Sequence, residues 1–167
     1  HHYSHLVFSL RRSTGAVCVR YEISGGELVV TRSVDQGRPR RQSQQVPRGC
    51  VWLPLTRNYL GPVIMETASR EGGKAPIVVP EFTDPNVSTV FDPELTIRTA
   101  KRASLQPEEI SVDGVHWNCH AYQFIGGPYG PESIFWICPN SRRLIRYIFM
   151  SPKGERWRSE LVGATPQ

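Results

Sequence analysis

Three polar side chains that could exchange or orient a proton occupy alternate positions of one short segment. They are Asn118, His120 and Tyr122, and alternate positions of a β-strand project from the same face. A histidine beside a phenol could act as a general acid or base while the phenol orients the substrate. A histidine on a strand can equally be a hydrogen-bonded structural side chain. We predict His120 and Tyr122 as catalytic residues and keep the structural interpretation open.

The third catalytic candidate is a glutamate at the end of an apolar run. Glu81 lies in residues 77–82, which read Ile-Val-Val-Pro-Glu-Phe. Burial among such neighbours disfavours the carboxylate, so we expect the pKa of Glu81 to be raised and a proton to be available near neutral pH. The alternative is a carboxylate at a strand end that is directed into water.

The segments after His120 are apolar on both of their faces. Residues 134–138 read Ile-Phe-Trp-Ile-Cys and residues 144–150 read Leu-Ile-Arg-Tyr-Ile-Phe-Met. Because an antiparallel strand usually keeps one solvated face, both faces are covered here, either by other parts of the protein or by a ligand. Arg146 either extends to the rim or anchors an anionic group of a ligand. The predicted substrate-binding residues are Trp117, Asn118, Phe124, Phe135, Trp136, Arg146 and Tyr147.

Metal and phosphate chemistry have weaker signals in this sequence. His116, Cys119 and His120 are close together, but Cys119 opposes the two histidines on a strand and no later pair completes a site of the usual spacing. A glycine-rich phosphate loop, a G-x-S-x-G motif and a dinucleotide fingerprint are also missing. We therefore predict neither a metal nor a cofactor.

The four cysteines bear on the cellular compartment. Cys18, Cys50, Cys119 and Cys138 match no C-x-x-C pattern. One interpretation is four free thiols in a cytoplasmic protein, which is the localisation we predict. The alternative is an exported or periplasmic protein with its signal peptide removed and two disulfides. Cys119 and Cys138 are the plausible pair, because a hairpin turn at residues 126–131 brings them to about the same level.

Composition limits the class of protein. A length of 167 residues suits one domain with a hydrophobic core, and the aromatic content of 10% argues against disorder although the apolar fraction is only 39%. The net charge of +5 comes almost entirely from arginine, a bias typical of GC-rich bacterial genes. Residues 1–2 are two histidines that look like the remainder of a purification tag. No apolar run is long enough to predict a membrane span.

Residues 35–47 are basic and almost free of apolar side chains. They contain Arg38, Arg40 and Arg41 among Gln, Ser, Gly and Pro, and we predict a mobile loop. A basic loop can contact nucleic acid. However, the net charge is modest and no RNA-binding motif is present, so we predict no nucleic-acid partner. The expected partner is a hydrophobic small molecule, with a homodimer as an option.

The chain alternates short strands with turn residues. About ten strands are predicted, with alternation clearest at residues 16–23, 27–34 and 95–103, and a four-stranded meander at residues 117–161. In residues 95–103 we place Leu95, Ile97 and Thr99 inward and Arg98 and Arg102 outward. The one predicted helix covers residues 58–72, with Pro62 in its first turn and Gly72 at its end. These elements predict a mainly β, single-domain protein whose curved antiparallel sheet closes to a barrel or half-barrel, with the helix over an open face.

The order of features in residues 115–161 resembles two groups of proteins. The features are a glycine turn, a strand with Cys119 and Tyr122, an aromatic Phe135-Trp136 strand, a turn into residues 143–146, and a closing strand with Gly154 and Trp157. This order is similar to the C-terminal half of bacterial lipoprotein-carrier-like half-barrels and to small β-barrel cyclases of natural-product pathways. The first resemblance implies an acyl-binding cavity, and the second implies cofactor-independent folding of a hydrophobic substrate. We transfer no residue role from either group.

From these features we predict a β-barrel that binds a hydrophobic small molecule and catalyses acid–base chemistry on it, as in bacterial secondary metabolism. Cyclisation, condensation or isomerisation fits proton-transfer groups and aromatic walls without a cofactor. The alternative is a non-catalytic carrier of lipid or another hydrophobic ligand. A buried acid and a histidine on one cavity would favour the enzyme, and a cavity with apolar walls alone would favour the carrier.

Overall fold

The protein is described from a computed structural model, which covers residues 5–12, 15–35, 37–53, 57–79, 94–151 and 153–161. Most of these residues lie in antiparallel strands, so the prediction of a mainly β fold with a short helix is confirmed. The helices are α1 (Arg57–Ser69) and a 3₁₀ turn (Glu71–Gly73). The strands are β1 (His5–Arg12), β2 (Gly15–Ser24), β3 (Glu27–Val34), β4 (Arg40–Gln45), β5 (Val51–Trp52), β6 (Lys74–Val79), β7 (Glu94–Arg102), β8 (Glu108–Val112), β9 (Val115–Ile125), β10 (Ile134–Ile137), β11 (Leu144–Met150) and β12 (Arg156–Glu160).

The chain divides into two compact units, which are described separately. The first comprises His1–Trp52 and Val78–Leu95, and its four-stranded sheet has the order β1-β2-β3-β4. The predicted alternation of β2 and β3 produces the core of this unit, because the inward residues of both strands are cross-strand neighbours. Buried members of this core are Val19, Tyr21, Leu28, Val30, Val46, Trp52 and Val78.

The prediction of a loop at residues 35–47 is wrong for Arg40–Gln45, which forms strand β4. Its backbone pairs with β3 from Arg32↔Arg40 to Glu27↔Gln45. Nearly all of its side chains are exposed, so no apolar alternation marks it in the sequence. The backbone supplies the pairing, and any residue except proline has the necessary N–H and C=O groups.

The second unit comprises Leu53–Ile77 and Thr96–Gln167. Its strands follow the order β12-β11-β10-β9-β7-β6, and β8 pairs with the first half of β9. The predicted meander is therefore present, with β9 between β7 and β10. A β-bulge between Trp136 and Ile137 shifts the register of β10 against β11, and such bulges bend strands.

Helix α1 begins five residues before Pro62, so the prediction that Pro62 lies in the first turn is wrong. Within a helix a proline removes one backbone hydrogen bond. Gly61 lies against the backbone before β11, and a Cβ atom at this position would contact the carbonyl of Arg142 and lie 3.1 Å from the Leu144 nitrogen. A glycine is therefore required for the helix to approach this backbone so closely. Across the described ranges, no helix has the length and hydropathy needed to cross a membrane.

The predicted orientation of strand β7 is also wrong. Arg98 is 2% exposed, whereas Ile97 is 71% exposed. The guanidinium lies 5.5 Å from the centroid of the Phe124 ring, and its carbon is 2.7 Å from where a Cβ of Gly127 would be. The aromatic ring attracts the cation, and the glycine leaves room for it. Burial of the guanidinium therefore costs less free energy than burial of an isolated charge.

Candidate functional site

The structure separates the predicted site residues between two faces of the β9–β11 sheet. Tyr122, Phe135 and Tyr147 are direct cross-strand neighbours and therefore share one face, which we call the aromatic face. Ala121, Trp136 and Arg146 are also cross-strand neighbours and form the opposite face, which we call the hairpin face because β8 contacts it. The single apolar site that the sequence predicted thus consists of two separate surfaces of one sheet.

Ring contacts organise the aromatic face around Tyr129, which follows β9 in the connection to β10. Tyr129 lies edge-on to Phe135 at 5.1 Å and to Phe149 at 5.6 Å, and it is tilted against Phe124 at 6.2 Å between centroids. Phe135 stacks on Tyr147 at 5.9 Å. Phe124 and Phe135 are almost fully buried, so these two predicted substrate contacts are core residues in this structure.

Strand β9 changes from polar and exposed to aromatic and buried along this same face. Asn118 is exposed, His120 is half-buried, and Tyr122 is buried. The strict alternation of the strand keeps the three side chains on one face, as the sequence predicts. His120 therefore lies at the boundary between the exposed polar end of the strand and the aromatic interior.

His120, on the aromatic face, has a pKa that differs from its ordinary value. Burial lowers the pKa of His120 below its ordinary value of 6.5, and the positive charge of Arg102 lowers it further. Arg102 lies on β7, directly across from Tyr122, and is exposed. The Nδ1 atom of His120 is buried and has no hydrogen-bond partner among the described residues. At neutral pH this imidazole is uncharged and can accept a proton.

The hairpin face is covered by the strand that precedes β9. The Trp136 indole N–H donates to Glu108 Oε2 at 2.8 Å, which ties β10 to β8. The Arg146 Nε donates to Glu160 Oε1 at 2.6 Å, and its Nη2 donates to the Ser111 carbonyl at 2.9 Å. Arg146 thus links β11 to both β12 and β8.

A small apolar core lies beneath these polar contacts. Trp117 is 3% exposed and packs here, apart from the aromatic face on which the sequence-based site was centred. The other buried members are Ile110, Val112, Cys119 and Ile145. The predicted site residue Trp117 therefore helps to hold the β8–β9 hairpin against the sheet.

Glu81, the third predicted catalytic residue, lies outside the described residues. For metals, the described part of the chain contains no group of three His, Cys, Asp or Glu side chains placed to hold an ion. His116 instead contacts Glu109, with 3.0 Å between Nδ1 and Oε1. The two histidines of β9 thus have different environments, since one is exposed beside a carboxylate and the other is half-buried beside an arginine.

Sequence reasoning missed two residues that shape the aromatic face. Tyr129 stands in the sequence Gly-Gly-Pro-Tyr-Gly-Pro of residues 126–131, which predicts a turn and gives no direct sign that its ring is packed. Arg102 was placed outward on β7 without a partner, although the register now shows it beside the His120–Tyr122 row. The aromatic side chain inside a turn of small residues is a signal that could have identified Tyr129.

Comparisons of this chain with protein-family models, with characterised proteins and with solved structures give no significant match.

Proposed function

We propose that this protein binds a hydrophobic small molecule with a polar or acidic group and transfers a proton on it through His120, without a cofactor. The reaction class is cyclisation, condensation or isomerisation, each of which needs a proton moved at a carbon or oxygen atom in a dry, shaped site. The observation that carries the proposal is the position of His120, whose buried Nδ1 lacks a partner among the described residues.

The electrostatic setting of His120 suits a general base. A base must be unprotonated at the working pH, and burial together with Arg102 favours the neutral imidazole. The same arginine offers a fixed positive charge to a carboxylate or to an oxyanion that forms when a proton leaves carbon. A ligand with its acidic group at Arg102 would place neighbouring atoms near His120.

The shape of the sheet supports a binding role. Strand β9 pairs with β8 over its first half and with β7 and β10 over its second half, and the bulge in the β10–β11 pairing bends the sheet further. We include in the proposal that this curved sheet closes to a barrel or half-barrel around the ligand. In such folds the concave face commonly holds one small molecule.

The second candidate function is a non-catalytic carrier of a hydrophobic ligand. It is favoured by the rings of Tyr129, Tyr147 and Phe149, which lie on the aromatic face and are only half-buried. In a carrier, His120 would contribute a hydrogen bond to the ligand and would transfer no proton.

Deuterium exchange distinguishes the two functions directly. A panel of hydrophobic ketones that carry a carboxylate is first screened for binding by native mass spectrometry. Bound members are then incubated in deuterated water, and deuterium at the carbon next to the ketone is measured by NMR. We expect the protein to accelerate this exchange and His120→Gln to slow it by about two to four orders of magnitude, the usual contribution of a general base.

His116→Gln is the matched control, because it makes the same substitution on the same strand at an exposed position. It should leave the exchange rate unchanged. Glu81→Gln in the same assay tests the remaining predicted catalytic residue. If ligands bind but His120→Gln retains the full exchange rate, proton transfer by His120 is wrong and the carrier takes its place. If no member of the panel binds, the proposed ligand class is wrong.

A further inference from the structure

Two cysteines face each other across the β9–β10 pair. The recorded register runs Phe135↔Tyr122, Trp136↔Ala121 and Ile137↔His120, and its continuation by one residue beyond the end of β10 would place Cys138 opposite Cys119. Directly opposed residues of an antiparallel pair have Cα atoms about 4.5–5.5 Å apart, within the range that a disulfide spans. Cys138 also packs against the buried cluster that contains Cys119. Both are free thiols in this structure.

The surroundings of Cys138 favour its thiolate form. It is half-buried and leads into the turn at residues 139–142. Burial by itself disfavours the thiolate, but hydrogen bonds from the Ser141 side chain and from the backbone of Ser141 and Asn140, with the charge of Arg143, give a lowered pKa for Cys138. A partly accessible thiol with backbone donors and a cation nearby is a typical reactive cysteine.

Cys119 has the opposite character. It is fully buried, and burial raises the pKa of its thiol to about 12, with a further contribution from neighbouring Cys138. Arg146 lowers the pKa and Glu108 raises it by smaller amounts. A thiol of this kind stays protonated and does not meet reagents from solvent. It can react only with a group already beside it, such as an oxidised Cys138.

We propose that Cys138 and Cys119 form a redox pair in which Cys138 reacts first with a hydroperoxide and Cys119 then closes a cross-strand disulfide. The Cys138 thiolate attacks the terminal oxygen of the hydroperoxide, the O–O bond breaks, and the alkoxide takes a proton to leave as an alcohol. Cys138 becomes a sulfenic acid. The Cys119 sulfur then attacks this sulfur, the S–O bond breaks, and hydroxide leaves with the Cys119 proton as water. Two equivalents of an external thiol reverse the oxidation.

Burial of Cys119 slows the second step, because its thiol must lose its proton in an apolar environment before it attacks the sulfenic acid. The sulfenic acid on Cys138 is therefore exposed to trapping before the disulfide forms. This pair is on the hairpin face and is independent of the proton transfer proposed for His120 on the aromatic face.

Mass spectrometry of the whole chain tests the proposal. The reduced protein is treated with hydrogen peroxide, sampled over time with and without dimedone, and digested. We expect Cys138 to be labelled by dimedone about tenfold faster than Cys18 or Cys50, the two half-buried thiols of the other unit. Without dimedone, the chain should lose two hydrogens and yield a peptide that joins Cys119 to Cys138.

Variants assign the two roles. Cys138→Ser should abolish the linked peptide, and Cys119→Ala should block the disulfide while the dimedone-labelled form of Cys138 persists. If Cys119→Ala fails to fold, the time course of the parent chain decides, because the sulfenic acid must appear before the disulfide. Cys18→Ser and Cys50→Ser should change neither product. Labelling of Cys138 no faster than that of Cys18 and Cys50, or a disulfide to any other cysteine, would overturn the proposal.

Discussion

The β1–β4 sheet and the β9–β12 sheet differ in how many of their faces are covered. In the first sheet, β2 alternates the buried Val19 and Tyr21 with the exposed Arg20, so one face is buried and the other is partly solvated, although Val29 on that second face is 7% exposed. In the second sheet, every residue of β10 and β11 is at least half-buried. The antiparallel strands of the two sheets thus have different environments on their second face.

The difference comes from segments that fold back over the second sheet. Tyr129 covers the aromatic face through its contacts with Phe135 and Phe149. On the hairpin face, Glu108 and the Ser111 carbonyl of β8 accept hydrogen bonds from Trp136 and Arg146. A strand is apolar on both faces when other segments of the same chain cover both of those faces.

The largest loss of stability should come from removing a buried aromatic ring of the second sheet, in which both faces are covered. Phe135→Ala deletes a fully buried side chain between Tyr129 and Tyr147, and we expect unfolding free energy to fall by about 3–5 kcal/mol. Tyr147→Ala on the same face should cost less, because Tyr147 is only half-buried. Urea unfolding followed by fluorescence measures both values. Equal losses would mean that the greater burial of Phe135 does not set its contribution to stability.

The ion pairs of the two sheets provide a second, smaller contrast. Arg146–Glu160 is 2.6 Å long with side chains 18% and 28% exposed, whereas Arg20–Glu22 is 3.9 Å long with 59% and 46% exposure. We expect Arg146→Met to lower stability by about 1–2 kcal/mol after allowance for solvent screening, and Arg20→Met to change it by less than about 0.5 kcal/mol. Chemical unfolding at low and high salt checks this. A larger loss for Arg20→Met would contradict the contrast.

Acid should weaken the second sheet through Glu160. Hydrogen bonds from Arg158 and then Arg146 hold the pKa of Glu160 below its ordinary value of 4.5. Because the folded pKa is the lower one, this stabilisation is complete above about pH 4.5 and is lost as the pH falls through the folded value. Glu160→Gln should therefore be less stable than the parent at pH 7, with a difference that narrows in acid. Thermal unfolding from pH 7 to pH 3 measures it, and a constant difference would reject the role of Glu160.

The smallest change in stability should come from replacing exposed side chains around β4, the last strand of the first sheet. Replacing Arg38, Arg40 and Arg41 with alanine removes three exposed cations around β4, so we expect stability to change by less than about 0.5 kcal/mol. Binding of single-stranded oligonucleotides is measured for the parent and the triple variant at two salt concentrations. Tight, salt-sensitive binding by the parent alone would show that this edge has a nucleic-acid function and would contradict our prediction.

Local pattern alone was sufficient for much of the fold. Period-two alternation identified β2 and β3, glycine and proline turns separated the strands of the meander, and the apolar runs around Phe135 showed that both faces of β10 are covered. The shared face of His120 and Tyr122 also followed from sequence, since alternate residues of any strand project together. These properties depend on neighbours within a few residues.

Other features required contacts between distant segments, and the tertiary structure alone decided them. The inward position of Arg98 depends on Gly127 and Phe124, which are far from it in sequence. Strand β4 exists because the backbone of β3 pairs with it, although its side chains carry no strand pattern. Which of Phe135 and Trp136 shares a face with Tyr122 depends on the register of β9 and β10. A sequence states which side chains prefer burial, but long-range pairing determines which surfaces are available to bury them.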